Sequence, residues 1–180
     1  MQGTTGVAAE LGHAVLDLEG PLCGCGMRGC FEAFAGGRNL ALQLQDLFRN
    51  RPDHPMMKLD CVGGDLENLN YQSLREGMKQ GIPVAVDIWD NVCLRVAQGI
   101  GLYMMVFNPE MIVLGTTAYY SGDLLMDPVR RYLPRFAWSQ MREPCRLEIT
   151  ALGEKIGELA GASVALYGLY ERGEWERPQG

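Results

Sequence analysis

The chain has 180 residues, 47% apolar and 21% charged, the balance of a soluble protein with one domain or two small ones. This composition excludes disorder, and the longest uninterrupted apolar stretch, residues 100–107, is too short to span a bilayer. A net charge of −6 without any basic run argues against nucleic-acid binding through these residues, so an anionic ligand would need local amides or a metal.

The opening Met1-Gln2-Gly3-Thr4-Thr5 shows neither the basic nor the apolar region of a signal peptide, and a cytoplasmic location is the expectation. Residues 3–6 are turn-like. Residues 13–18 (HAVLDL) alternate as a half-buried strand does, and Glu19-Gly20-Pro21 makes a turn. After a cysteine loop, a helix begins at Cys30 and ends at Gly36-Gly37. Leu40, Leu44, Leu47 and Phe48 mark one face of a second helix that stops before Pro52. Residues 51–68 read as irregular, with His54 exposed, and residues 71–79 as a helix. Val92, Val96, Ile100 and Met104 are in register along a long helix over residues 84–107, with Pro83 in its first turn and Asn108-Pro109 closing it. The run 111–114 (MIVL) before Gly115 predicts a buried parallel strand. Asp127-Pro128 reads as an N-cap followed by Pro at the first helical position, opening a helix to about Arg135. A strand over 146–150, a closing helix over 157–170 and a polar tail over 171–180 complete an α/β chain in which helix dominates.

Three of the six cysteines, Cys23, Cys25 and Cys30, lie within eight residues. A secreted disulfide framework would spread its cysteines and need an export signal. No two of the three have C-x-x-C redox spacing. With His13 upstream they form a closed tetrahedral set for Zn²⁺, structural because no coordination position stays open. The alternative is a reduced thiol cluster without metal. Cys61, Cys93 and Cys145 read as small buried hydrophobes.

Glu10-Leu11-Gly12-His13, followed by Cys23-x-Cys25-Gly26-x-x-Gly29-Cys30-x-Glu32, resembles the signature of the ROK (repressor, ORF, kinase) family, and its glucokinase-type sugar kinases above all. The resemblance continues through residues 108–115, 122–125, 152–154 and 161–162. It implies the actin-like ATPase (ribonuclease H-like) fold, with sugar and ATP in a cleft between two α/β lobes. The chain then corresponds to a C-terminal lobe carrying a zinc-binding loop, with residues 1–170 forming the C-terminal part of such a protein, the loop at 13–32 and the N-terminal lobe absent.

The resemblance further implies zinc on His13, Cys23, Cys25 and Cys30, and hexose or amino-hexose hydroxyls on Glu10, His13 and Glu32. A zinc-bound imidazole keeps its second nitrogen protonated and outward, so His13 would tie metal to sugar. Read without the family, Glu10 is a solvated carboxylate and Glu32 a favourable charge in a helix first turn. ATP with Mg²⁺ would lie against Gly115 and Thr116 in the complete protein, a homodimer. Relatives carry further glycines there, and the β-carbon of Thr116 restricts the backbone.

Kinases of the family place a Gly-rich phosphate loop and a proton-accepting Asp, in an Asn-Asp pair, in the N-terminal lobe. Neither motif occurs here, so no residue is assigned a catalytic role and the isolated chain is expected to be inactive. Two functions fit the residues: part of an ATP-dependent hexose kinase, or the effector-binding domain of a sugar-responsive ROK repressor.

Overall fold

The computed structural model describes residues 3–175. The first two residues of the opening segment and residues 176–180 of the expected tail lie outside the described residues. Ten elements follow one another: α1 (Phe31–Ala35), α2 (Gly37–Phe48), α3 (Tyr71–Lys79), α4 (Pro83–Phe107), β1 (Met111–Leu114), α5 (Thr116–Ser121), α6 (Asp123–Tyr132), α7 (Ser139–Arg142), β2 (Arg146–Ile149) and α8 (Ile156–Glu171).

Helix α4 is the spine. Pro83 starts it, and Asn108 ends it in the left-handed conformation (φ 44°), donating its N–H back to the Met104 carbonyl. Its apolar residues Trp89, Val92, Val96, Ile100 and Met104 are buried against Leu40, Leu44 and Phe48 of α2, Leu74 of α3, and Leu125, Met126 and Val129 of α6. Gly101 lets the backbone of Phe136 approach; a β-carbon there would lie 2.5 Å from Phe136 Cβ. Helix α3 is held by a capping box, with Asn70 Oδ1 accepting from the Gln72 and Ser73 amides and Ser73 Oγ accepting from the Asn70 amide. Strands β1 and β2 pair in parallel, Met111 opposite Arg146 and Leu114 opposite Ile149. The right connection for a parallel pair is a long one, and here it runs through α5, α6 and α7.

Several expectations need correcting. The α/β architecture stands, but the metal loop does not sit on a C-terminal lobe: His13, Cys23, Cys25 and Cys30 lie in the N-terminal region, ahead of every α-helix. They form a satellite there, with Cys23, Cys30 and Ala33 making a small cluster separate from the main core. Residues 13–18 form no strand. A 3₁₀ turn covers Leu11–His13, and only an isolated bridge joins Val15 to Cys30. Strand β1 is not buried on both faces, because Met111 and Val113 are exposed. Helix α6 begins at Asp123, so Pro128 lies inside it rather than at its start. Residues 55–58 and 66–68 are 3₁₀ turns within the segment expected to be irregular. His54 is half-buried, stacked on Phe48 and accepting the Met56 amide through Nδ1 at 3.2 Å. No helix among the described residues is long and apolar enough to cross a membrane.

Candidate metal centre and adjoining carboxylates

The loop that carries the cysteines is folded by its own backbone. Cys23 donates to the Met27 carbonyl, Gly26 to that of Cys23, and Gly29 to that of Pro21. Gly29 is required at its position: its φ is +70°, and a β-carbon would collide with the Asp17 carbonyl. This tight reversal brings Cys25 Sγ to 3.7 Å from Cys30 Sγ and Cys23 Sγ to 3.6 Å from His13 Nδ1. All four donor atoms lie within 4.8 Å of one another, and all six cysteines are free thiols.

These distances test the fit of a metal. With Zn–S of about 2.3 Å and Zn–N of about 2.0–2.1 Å, a tetrahedron has S···S edges of about 3.8 Å and S···N edges of about 3.6 Å. The two close contacts match those edges. The electrostatics agree. Burial, then the Cys25 and Cys23 thiols, push the Cys30 thiol up to about 12, whereas the Met27 backbone holds exposed Cys25 below the ordinary thiol value. A divalent metal bound among three sulfurs this close would offset the mutual repulsion of their thiolates. The set therefore forms a candidate structural zinc site.

Helix α4 clamps this region from the other side. Arg95 pairs with Asp17 at 2.8 Å and lies over the Phe34 ring at 4.3 Å. Gln98 donates to the Leu16 carbonyl at 3.1 Å, and the Tyr103 hydroxyl donates to that of Leu11 at 2.7 Å. Gln98 lies about 60° to one side of Arg95 round the helix and Tyr103 about 80° to the other, so the three reach this region from a broad arc of α4. None of these residues was a sequence candidate. The signal available was Arg95 and Gln98, the two polar side chains in the otherwise apolar stretch of residues 92–102.

Beside the metal set, Glu32 Oε2 lies 3.8 Å from His13 Nδ1, and Glu32 Oε1 accepts from Asn39 Nδ2 at 3.4 Å. Nδ1 is thus the nitrogen that faces Cys23 and Glu32. Glu10 stands three residues before His13 on the same turn, its carbonyl accepting the His13 amide at 3.1 Å and its side chain exposed. The structure brings His13 and Glu32 together; it records no contact between them and the Glu10 carboxylate.

A cavity of about 490 Å³ is lined by residues that include Gly37, Asn70, Tyr71, Arg75, Thr116 and Tyr120. Thr116 is the first residue of α5, immediately after Gly115. Gly115 itself is outside the lining and faces Ile156 of α8. No carboxylate or imidazole lines this cavity.

Residues 1–167 match the ROK family, and the chain belongs to that family. It is 31% identical over 165 residues to a glucokinase of Streptomyces coelicolor, covering 91% of this chain and 52% of that protein. It is 27% identical to a putative xylose repressor of a Caldicellulosiruptor species, over 86% of this chain and 38% of the repressor. A crystal structure of a ROK glucokinase from Streptomyces griseus with glucose and AMPPNP superposes with a TM-score of 0.72 at 29% identity, over 91% of this chain and 53% of that one. The chain thus spans about half the length of the glucokinases it matches.

Proposed function

We propose that the chain is a zinc-stabilised hexose-binding unit whose output is binding: the effector-binding part of a sugar-responsive ROK regulator. The contact between His13 and Glu32 carries this reading, because it joins the metal set to a hydroxyl-accepting carboxylate. With Nδ1 on the metal, Nε2 of His13 carries the proton and turns outward. Glu10 and Glu32 then accept charge-assisted hydrogen bonds from neighbouring hydroxyls of a hexose or amino-hexose. The metal supplies rigidity and no open position for chemistry. The similarity to a putative xylose repressor supports an output of binding. A cytoplasmic location goes with this function.

The second reading is part of an ATP-dependent hexose kinase, favoured by the 31% identity to a glucokinase. Gly115 and Thr116 would then lie beside ATP and Mg²⁺ in the whole protein.

Calorimetry on this chain with glucose, mannose, N-acetylglucosamine and xylose, paired with a coupled ADP-release assay on the complete protein, tests both. The regulator reading expects sugar binding without sugar-dependent ADP release. Glu10→Ala and Glu32→Ala should each weaken binding by about 1–3 kcal/mol. Unchanged affinity in both variants would return the carboxylates to solvent and helix-terminus roles. Robust turnover would establish the kinase.

A further inference from the structure

We infer that the cavity between the end of α6, α7 and the start of β2 is an oxyanion site, taking inorganic phosphate or the phosphoryl group of a phosphorylated small molecule on Arg130 and Arg142. Residues 130–146 hold five arginines and a single carboxylate, Glu143, in a chain whose net charge is −6. Two of the five are engaged elsewhere. Arg131 pairs with Asp90 at 3.6 Å, and Arg135 lies over the Tyr132 and Phe136 rings at 5.8 and 5.7 Å. Arg130 and Arg142 instead line a cavity of about 190 Å³, together with Leu133, Cys145 and Leu147.

Arg142 carries the argument. Its Nε is buried without a hydrogen-bond partner, and its guanidinium forms no ion pair among the described residues. Buried donors of that kind are few, and each calls for a partner. Arg95 has such a nitrogen too, but the Asp17 carboxylate meets its guanidinium at 2.8 Å. Arg130 and Arg142 stand in the last turns of α6 and α7, where a basic side chain offsets the helix dipole. That role does not account for them, because neither donates to a carbonyl among the described residues. Arg130 meets Asp127 at 3.6 Å with both side chains more than half exposed, and a surface pair of this kind is worth little.

The walls select the ligand. Two guanidiniums match the roughly −1.5 to −2 charge of a phosphate group, and their planar forks suit its oxygens in pairs. No carboxylate lines the cavity, and the Cys145 thiol, pushed up by burial, stays protonated and neutral. Leu133 and Leu147 exclude water from part of the wall, which strengthens a charge pair. The volume is below the roughly 300–1,000 Å³ that encloses a drug-sized ligand, so one phosphoryl group enters and any attached body stays outside. Cys145 and Leu147 flank Arg146, which pairs with Met111 at the start of β1, whereas Gly115 and Thr116 follow the end of that strand. The site is therefore at the opposite end of the sheet from Gly115, and it does not depend on the sugar-binding reading.

The test is an NMR titration of the full chain, following the Arg142 Nε–H signal, with inorganic phosphate, glucose 6-phosphate and sodium chloride at matched ionic strength. Phosphate should shift that signal saturably, and chloride should not. Arg142→Lys keeps the charge but removes the fork, and it should weaken phosphate binding about tenfold or more, read from the thermal shift that phosphate produces. Arg130→Gln changes an exposed residue that leaves the fold intact, and should weaken binding to a similar extent. Equal affinity for the two phosphates assigns the site to free phosphate; tighter binding of glucose 6-phosphate assigns it to a phosphorylated small molecule. Three results would overturn the inference: no shift at Arg142, the same shift with chloride, or unchanged phosphate affinity in both variants.

Discussion

Trp89 donates its indole N–H to the Leu124 carbonyl at 3.0 Å, and Leu124 is the residue that Pro128, four positions on, cannot reach with an amide of its own. A proline inside a helix removes one backbone hydrogen bond and leaves a carbonyl without its partner. Here a side chain of α4 fills that place, and α6 runs through Pro128 from Asp123 to Tyr132. The bond also locks α6 onto the spine.

The pair predicts a coupling. Trp89→Phe should destabilise the fold by about 0.5–1.5 kcal/mol, the net worth of a hydrogen bond at a part-buried carbonyl. In a Pro128→Ala background the regained amide offers Leu124 a replacement, so the same substitution should cost less. Urea unfolding of the four proteins gives the interaction energy directly; strict additivity would show that Trp89 acts only through its bulk.

Purified chain should carry about one zinc, and Cys25→Ser should lower both zinc content and melting temperature. Binding and folding are linked, with apparent zinc free energies on the order of 10 kcal/mol in small sites. Metal analysis by mass spectrometry with thermal unfolding checks this. Folded protein free of zinc would remove the metal from the account.

Asp17→Ala should loosen the metal loop without touching a ligand. It leaves the Arg95 guanidinium without its carboxylate, while Arg95 Nε is already buried without a hydrogen-bond partner. Because the pair is not fully buried, a loss of about 1–3 kcal/mol is expected, below the figure for a wholly buried one. The measurement is the rate of zinc transfer to a coloured chelator, which should rise. An unchanged rate would show that the clamp does not hold the loop.

Alkaline pH should weaken the fold through Cys93. Burial pushes its thiol up to about 12, so the native state holds a proton that the unfolded chain gives up near the ordinary thiol value of 9.0. Stability from this group is complete below the unfolded value and is lost as pH rises towards 12. Cys93→Ala should flatten that limb of the stability profile relative to the parent protein, measured by urea unfolding between neutral pH and about 10.5. An identical slope in both proteins would remove Cys93 as its source.

The parts legible in the sequence are those whose partners lie close along the chain. Cys23, Cys25 and Cys30 announce a metal loop because eight residues hold all three, and Val92 to Met104 announce a helix because its period is local. Residues 13–18 mislead. Their alternation suits a strand, but the Leu16 carbonyl is taken by Gln98 and the Asp17 carboxylate by Arg95, and these tertiary bonds replace a ladder. Residues 51–68 hide part of the core. Met56 and Met57 are buried from a short 3₁₀ turn, and Leu59 and Val62 from the irregular turns after it, none of which carries a readable period. Asp127-Pro128 has the look of a helix start, but the helix already runs from Asp123, with the distant Trp89 supplying the donor that Pro128 lacks. The clamp was out of reach for the same reason: 78 residues separate Asp17 from Arg95.

The small cluster of Cys23, Cys30 and Ala33 stands apart from the main core, and the segment before it is tied to α4 by Arg95 and Tyr103. Such a layout makes two cooperative units of unequal strength. Under chelation the first thirty or so residues would come loose while the helices behind them stay closed. A protease would then cut near the amino end and spare the rest. Metal supply would set how long the amino-terminal region survives intact, and the lifetime of the surface around His13 and Glu32 would follow the zinc available around it.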